Sequence, residues 1–182
     1  MSKALLLIDI QNDYFPGGAM ELVEPASAAA QAARLLQAFR EKTLPVFHVR
    51  HLAIRAGATF FVPDTAGAAI HESVRPIEGE TILTKHFPNS FRDTGLHDAL
   101  QAANVTNLVI AGMMTHMCVD TSVRVAAELG YTCWLAQDGC ATRDLAFGGR
   151  RVAADAVQLA YLAALHGSFA NVAPAADLCA TL

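Results

Sequence analysis

The chain has 182 residues, of which 53% are hydrophobic and 16% are charged, and its formal net charge is −4. This length and composition suit one folded domain with a sizeable core and exclude an intrinsically disordered protein. The negative charge is spread along the chain without a basic run, so we expect neither nucleic acid nor an anionic membrane as a partner.

The first apolar run, Ala4–Ile8, is too short for the core of a signal peptide. No stretch approaches the roughly 18 apolar residues of a membrane helix. We therefore expect a cytoplasmic protein whose four cysteines are reduced thiols. Core packing is the interpretation that we adopt for Cys133 and Cys179, whereas Cys140, in a polar turn, stays open.

Short apolar runs alternate with longer helical patterns along the chain. In order, they predict strand 4–8, helix 26–41, strand 45–49, strand 81–84, helix 93–103, strand 107–111, helix 116–129, strand 132–136, helix 147–165 and a weaker strand 169–172. Most of the strands are apolar throughout, as is typical of strands covered on both faces. The prediction is an α/β fold: a three-layer αβα sandwich around a mostly parallel sheet of about six strands, in a single domain over residues 1–182.

Two long segments interrupt this alternation. Residues 10–24 and 50–80 contain several glycines and prolines, and each leaves the carboxyl end of a predicted strand. Open α/β sheets bind their ligands at that edge. We therefore expect both segments to be functional loops.

Chemically active side chains follow three of the predicted strands. Asp9 ends the first strand, Lys85 ends the third, and Cys118 comes shortly after the fourth. Because the carboxyl ends of parallel strands share one edge of a sheet, we expect an acid, a cation and a thiol to converge there. Each also has a purely structural interpretation: Asp9 or Asp13 can cap a turn, Lys85 can be a surface lysine, and Cys118 can be a core thiol.

Cys118 is expected near the beginning of a helix. Gly112 permits a sharp turn out of the preceding strand. Thr115 is placed as the N-cap of helix 116–129, which puts Cys118 in the first turn. The helix dipole and the free amides of that turn favour a thiolate and can also receive an oxyanion.

Three sequence blocks resemble one known family. They are Leu7–Tyr14, Lys85 with the phenylalanine-containing segment after it, and Gly112–Val119. Their order and spacing, together with the alternation of strands and helices, extend over nearly the whole chain. On these residues the chain resembles the isochorismatase-like cysteine hydrolases, which include nicotinamidases and related amidases.

The resemblance implies a catalytic triad of Asp9, Lys85 and Cys118. It also implies a cis peptide before the nucleophile, here between Met113 and Met114, and an oxyanion hole made by the amides of Met114 and Cys118. In the reaction that it implies, Cys118 attacks the carbonyl carbon of a small amide, imide or ureide, and a thioester is then hydrolysed. No cofactor is required.

The sequence departs from the nicotinamidases at their metal site. Those enzymes carry an Asp-x-His motif after the second strand, whereas this chain has His48-Val49-Arg50-His51-Leu52. Even with His71 and His86 added to His51, the ligand set for a divalent ion is incomplete, and we predict no metal. Isochorismatases proper work without a catalytic cysteine, so the presence of Cys118 favours amide hydrolysis, with vinyl-ether hydrolysis as the alternative.

Aromatic side chains in the loops are candidates for the wall of a substrate pocket, and core packing is the competing interpretation for each of them. His116 and Arg92 are further candidates for contact with polar groups of the substrate. The aromatic candidates are Tyr14, Phe15, Phe60, Phe61, Phe87 and Phe91.

Two other functions stay open from the sequence. The chain could be a non-catalytic binding relative of the fold, or a redox sensor in which Cys118 and Cys140 form a reversible disulfide. We expect a small-molecule substrate as partner. The habit of the family and the apolar last helix predict a homodimer or homotetramer.

Overall fold

A computed structural model describes residues 2–182, and its centre is a parallel sheet. The strands are β1 (Ser2–Ile8), β2 (Val46–His51), β3 (Thr81–Lys85), β4 (Val105–Met113), β5 (Thr132–Ala141), β6 (Leu145–Phe147), β7 (Arg150–Val152) and β8 (Asn171–Ala173). Six of them form one sheet in the order β3-β2-β1-β4-β5-β8, with parallel pairing between all neighbours. Strands β6 and β7 form a separate antiparallel hairpin.

Helices cover both faces of the sheet. They are α1 (Pro25–Glu41), α2 (Leu96–Ala102), α3 (Asp120–Glu128), α4 (Ala154–Leu165) and α5 (Ala175–Ala180). Helices α1 and α5 pack with Leu5 and Leu7 of β1 in one hydrophobic cluster. Helices α2, α3 and α4 pack with Leu6 and Ile8 in a second cluster. Side chains alternate along a strand, so a strand that contributes to both clusters must be apolar throughout.

The predicted fold class and the six sheet strands are confirmed, with ends that differ by a few residues. Within residues 2–182, no helix is both long enough and apolar enough to span a membrane. The strand order places β1 between β2 and β4 at the centre of the sheet. The chain adds β2 and β3 on one side of β1 and then continues with β4 and β5 on the other side. The gap between β1 and β4 is therefore the switch point at which such sheets bind ligands.

The prediction of a helix over 147–165 is wrong in its first part. Residues 145–152 form the β6–β7 hairpin, and the helix begins at Ala154. Gly148 and Gly149 both have positive φ, which suits a tight hairpin turn and disfavours a helix. Asp144 accepts a hydrogen bond from the Ala154 amide at 2.8 Å and pairs with Arg151, which ties the hairpin to the start of α4.

The prediction of Thr115 as an N-cap is also wrong. Residues Thr115–Val119 form a π-helical turn, and α3 begins only at Asp120. The Thr115 hydroxyl lies 2.7 Å from Gln158 Oε1 and 3.2 Å from the Ala141 carbonyl oxygen. The Thr115 hydroxyl therefore binds α4 and β5 instead of capping the helix that follows it.

Gly112 has a different role from the expected sharp turn. It lies within β4 opposite Ile8 of β1, with φ of 152°. A Cβ atom at this position would lie 2.2 Å from the Ile8 carbonyl oxygen. The absence of a side chain therefore lets β4 approach β1 closely, just before the segment that carries Cys118.

Candidate active site

Asp9, Lys85 and Cys118 meet at the carboxyl edge of the sheet, as expected. Lys85 Nζ lies 2.7 Å from Asp9 Oδ2 and 3.1 Å from Cys118 Sγ. Asp9 and Lys85 are fully buried, and Cys118 is nearly so. A buried ion pair in contact with a thiol is costly for a fold unless it has a use.

The three side chains are carried by different elements. Asp9 is the first residue after β1 and has a left-handed backbone, with φ of 51°, while its amide donates to the Val49 carbonyl at 2.9 Å. Lys85 ends β3. Cys118 lies in the π-helical turn after β4, and the peptide bond between Met113 and Met114 that precedes this turn is cis.

The Lys85 ammonium has four potential acceptors for its three protons. Besides Asp9, its Nζ atom lies 3.0 Å from His51 Nδ1, 3.1 Å from the Phe87 carbonyl oxygen and 3.1 Å from Cys118 Sγ. These last three contacts have hydrogen-bond geometry. Asp9 Oδ2 is the nearest of the four acceptors to Nζ, at 2.7 Å, and Asp9 forms a buried ion pair with Lys85.

Burial and charge determine the protonation of the cluster. Burial, reinforced by the Asp9 carboxylate and opposed by Lys85, raises the pKa of Cys118. Burial also raises the pKa of Asp9, against the effect of the Lys85 charge. Burial lowers the pKa of Lys85, but Asp9 and Cys118 outweigh it and the pKa of Lys85 is raised. Burial and the Asp9 carboxylate thus oppose the thiolate that the amides of a helix start were expected to favour.

His51 is a fourth member of the cluster that we had considered only as a metal ligand. It ends β2 directly opposite Lys85. Because an ammonium only donates, His51 Nδ1 accepts from Lys85 and the ring proton is on Nε2. Burial, Lys85 and His86 lower the pKa of His51 to about 4, so its ring is neutral at pH 7. Its position at the end of a strand is the same signal that identified Asp9 and Lys85.

Gln11 fixes the backbone of His51. Its side chain donates to the His51 carbonyl oxygen at 2.9 Å and accepts from the His51 amide at 2.7 Å. It also donates to the Ala68 carbonyl oxygen at 2.8 Å. A buried primary amide with these three contacts holds β2 against both long loops.

The cluster contains atoms spaced like the ligands of a metal ion. Atoms of Asp9, His51 and Cys118 lie within 4.8 Å of one another. The Lys85 ammonium, however, is in contact with all three and already supplies a positive charge between them. These residues therefore do not fit a metal ion unless Lys85 moves away.

The two loops that we predicted to be functional contact each other through Asp13. Its carboxylate accepts from the Phe61 amide at 2.6 Å, and its own amide donates to the Gly67 carbonyl oxygen at 2.9 Å. A Cβ atom on Gly67 would lie 2.0 Å from Asp13 Oδ1. Asp13 thus joins the loop after β1 to the loop after β2, beyond the local turn that we had considered.

Three of the aromatic candidates form one group beside the cluster. The Tyr14 and Phe61 rings make an edge contact at 4.7 Å between centroids, and Phe60 lies 5.0 Å from Phe61. The Phe61 ring lies 5.7 Å from the His51 ring. Tyr14 and Phe61 are fully buried, whereas Phe60 is partly exposed, so Phe60 is the one placed to touch a ligand.

The other candidates are dispersed. Phe15 stacks on His71 with 3.6 Å between ring centroids. The rings of Phe91 and Tyr131 stack at 6.2 Å, and Tyr131 precedes β5, so Phe91 packs toward the amino edge of the sheet. His116 Nδ1 lies 2.6 Å from the Thr142 hydroxyl.

The Phe87 segment lies next to the cluster. The carbonyl oxygen of Phe87 accepts from Lys85, and its ring is covered by the Arg92 guanidinium at 3.5 Å from the centroid. The neighbouring His86 bonds to the Leu52 carbonyl oxygen at 2.8 Å, and His71 bonds to Ser73 at 2.8 Å. These two histidines thus have partners of their own.

A cavity of about 370 Å³ opens beside the cluster. His51 and Phe87, which both bind Lys85, are part of its wall, so it is the candidate substrate pocket. A larger groove of about 540 Å³ lies between the start of α1, the end of β5 and α4. Neither wall includes Asp9, Lys85 or Cys118, but the wall of the smaller cavity includes two hydrogen-bond partners of Lys85. The wall of the smaller cavity consists of His51, Ala53, Ile54, Arg55, Ala58, Thr59, Phe60, His86 and Phe87.

Comparison with known proteins agrees with this geometry. The Isochorismatase domain matches residues 3–176. This chain belongs to the isochorismatase family. An isochorismatase family protein of Bacillus subtilis (strain 168), YddQ, is 52% identical over 172 residues, which cover 94% of this chain and 96% of that protein.

Other members of the isochorismatase family support the fold assignment, and one of them is an enzyme of stated activity. A crystal structure from Oleispira antarctica, of a protein assigned to the isochorismatase hydrolases, superposes with a TM-score of 0.95 at 50% identity, covering 98% of this chain and 96% of that one. The maleamate amidohydrolase of Pseudomonas putida is 31% identical over 142 residues, which cover 70% of this chain and 67% of that enzyme. The isochorismatase family thus includes amidohydrolases.

Proposed function

We propose that this isochorismatase-family chain is a cysteine hydrolase that cleaves the C–N bond of a small amide, imide or ureide. The observation that carries the proposal is the buried contact of Lys85 with both Asp9 and Cys118. It joins a thiol nucleophile, a buried carboxylate and a fixed positive charge in one site. The amidohydrolase activity of a relative that covers most of the chain adds support.

The first half of the reaction forms a thioester. Asp9 takes the proton of the Cys118 thiol, and the Lys85 charge stabilises the resulting thiolate. The thiolate attacks the carbonyl carbon, and the amides of Met114 and Cys118 are proposed to receive the oxyanion. Losing one such donor costs on the order of 3 kcal/mol in the transition state. Asp9 then gives its proton to the departing nitrogen, so the C–N bond breaks as ammonia or an amine leaves.

The second half returns the enzyme to its starting state. A water molecule gives a proton to Asp9 and attacks the thioester carbonyl. The C–S bond breaks, the acyl group leaves as a carboxylic or carbamic acid, and Asp9 returns the proton to Cys118. The sum is one amide and one water converted to one acid and one amine, and no cofactor takes part.

The cavity indicates a small substrate with a flat group and a negative charge. The rings of Phe60 and Phe87 can contact a planar group. Among the described residues of the wall, Arg55 is the one with a formal charge at neutral pH. Its guanidinium has no ion pair or side-chain hydrogen bond within residues 2–182, so it is available to a carboxylate.

The proposal is tested by measuring ammonia or amine release from a panel of neutral and carboxylate-bearing amides, imides and ureides. We expect turnover of at least one compound by the wild type, none by Cys118→Ala, and an acyl adduct on Cys118 by mass spectrometry. Cys133→Ala is the matched control, because Cys133 is a buried thiol in β5. Turnover of isochorismate alone would favour vinyl-ether hydrolysis, and an absence of turnover and adduct would favour a binding protein.

A further inference from the structure

His51 has contacts that structural packing does not require. It is one of three hydrogen-bond acceptors of Lys85, its backbone is held on both sides by Gln11, and its side chain forms part of the cavity wall. The His51 ring can therefore hold the Lys85 ammonium through one nitrogen and contact a ligand in the cavity through its other edge.

The Nδ1 contact determines how the Lys85 protons are distributed. Three hydrogen bonds, to His51, Phe87 and Cys118, use all three protons of the ammonium. Asp9 Oδ2, at 2.7 Å from Nζ, competes with these three acceptors for the same protons. If His51 did not accept, Lys85 would have one acceptor fewer, and its protons would be held more strongly by Asp9, the group that is proposed to take the thiol proton.

The other ring nitrogen is available to a ligand. With Nδ1 accepting, Nε2 carries the proton, and it has no hydrogen bond to any residue in 2–182. The atoms of Asp9 and Cys118 that react lie within 4.8 Å of a ring nitrogen of His51. Because His51 also forms part of the cavity wall, a substrate bound in the cavity can accept a hydrogen bond from this N–H.

We infer that His51 is a positioning residue that holds the Lys85 ammonium through Nδ1 and donates a hydrogen bond from Nε2 to the bound substrate. The inference rests on the proposed function for its second half only. The first half concerns the resting enzyme and has a test without substrate.

Two substitutions separate the two ring nitrogens. In His51→Asn the terminal group occupies the place of Nδ1, so contact with Lys85 is kept and the donor to the substrate is lost. In His51→Gln the terminal group reaches the place of Nε2, so the donor is kept and the acceptor for Lys85 is lost. We expect His51→Asn to raise KM about tenfold with little change in kcat, and His51→Gln to lower kcat about tenfold or more.

His166→Asn is the matched control. His166 also accepts a hydrogen bond on Nδ1, from the Val172 amide at 3.2 Å, but it lies on the surface after α4. This variant should keep wild-type kcat and KM. If both His51 variants also remain within twofold of the wild type in kcat and KM, the inference is wrong.

The second measurement is the rate of alkylation of Cys118 by iodoacetamide at several pH values, followed by mass spectrometry. Because Lys85 stabilises the thiolate, His51→Gln should shift this profile and His51→Asn should follow the wild type. Coincident profiles for all three proteins would overturn the positioning role. If the wild type hydrolyses none of the amides, the proposed function fails, and the alkylation profiles still decide whether His51 holds Lys85.

Discussion

Lys85 places a positive charge between a carboxylate and a thiol in a site from which water is largely excluded. Each partner affects the protonation of the others, because the cost of burying one charge is offset only by its neighbour. Asp9 raises the pKa of Lys85, and burial together with Asp9 raises the pKa of Cys118. In the proposed reaction, the proton of Cys118 therefore has to move to Asp9.

Removing Lys85 should destabilise the protein as well as abolish activity. Lys85→Met leaves the Asp9 carboxylate buried without a counter-charge, which we expect to lower the free energy of unfolding by about 3–5 kcal/mol. The double variant Asp9→Asn with Lys85→Met should recover much of this loss without recovering activity. Urea denaturation followed by circular dichroism measures both, and equal losses in the single and double variants would contradict a coupled pair.

Arg55 should affect the choice of substrate. Arg55→Gln removes the formal charge from the cavity wall without shortening the chain much. We expect KM for carboxylate-bearing amides to rise about tenfold, because a charge-assisted hydrogen bond is lost, with KM for neutral amides unchanged. Steady-state kinetics on both kinds of substrate, with Arg75→Gln on the surface as the control, test this; equal effects on both kinds would be evidence against a carboxylate contact.

At the scale of elements, the site depends on how closely β4 lies against β1. The two strands are paired from Ser2 to Ile8, and Gly112 is opposite the last of these residues. Asp9 follows one strand and the Cys118 turn follows the other. Close pairing at this point therefore determines the distance between acid and nucleophile.

Gly112→Ala should disturb this pairing. The new Cβ would meet the Ile8 backbone at 2.2 Å, so a strand must shift and we expect a loss of stability of about 3 kcal/mol or more, together with loss of activity. Gly130→Ala is the control, since Gly130 also has positive φ but its Cβ would meet nothing within 4 Å. A similar small loss, of about 1 kcal/mol, in both variants by thermal denaturation would show that the close approach is unimportant.

Glu80 links two elements by charge and should make stability dependent on pH. Its carboxylate contacts Arg40 of α1 at 2.7 Å and His48 of β2 at 2.8 Å. Burial raises the pKa of Glu80, but hydrogen bonds from Arg40, the Ile77 amide and His48 prevail and lower it from 4.5 to about 2.

Because the folded pKa of Glu80 is depressed, its contribution to stability is fully present above pH 4.5 and is lost as the pH falls toward 2. We expect Glu80→Gln to lower the free energy of unfolding by about 1–2 kcal/mol at pH 7. The difference between the variant and the wild type should shrink between pH 4.5 and 2. Urea denaturation at several pH values measures it, and a constant difference would exclude the charged form as the cause.

At the scale of the whole molecule, two large apolar side chains outside the site are strongly exposed. Phe147 at the tip of the β6–β7 hairpin is 91% exposed, and Leu159 on the outer face of α4 is 71% exposed. Several alanines of α4 are exposed as well. These exposed apolar residues of the β6–β7 hairpin and α4 are a candidate surface for contact with another protein.

Self-association through this surface stays a prediction, with a second copy of the chain as partner. Sedimentation velocity should give a mass of two or four times 19.3 kDa. The double variant Phe147→Ser with Leu159→Gln should move the distribution toward the monomer, because apolar burial is the main driving force of association. A wild-type monomer at micromolar concentration would exclude the prediction.

The sequence by itself was enough for the sheet and for the meeting of Asp9, Lys85 and Cys118. Apolar strands alternating with helices admit few arrangements, and parallel strands bring their carboxyl ends to one edge. It also indicated both long loops, because glycine and proline interrupt the periodic segments.

Only the tertiary structure decided the details on which chemistry depends. Residues distant in sequence bring His51 into contact with Lys85. They also bind the Thr115 hydroxyl to α4 and β5 and bury the Asp9 carboxylate against Lys85. The protonation of Cys118 depends on burial and on a carboxylate from another strand, so the local pattern of a helix start did not predict it. Strand periodicity is a local property, whereas hydrogen-bond partners and desolvation depend on which segments the fold brings together.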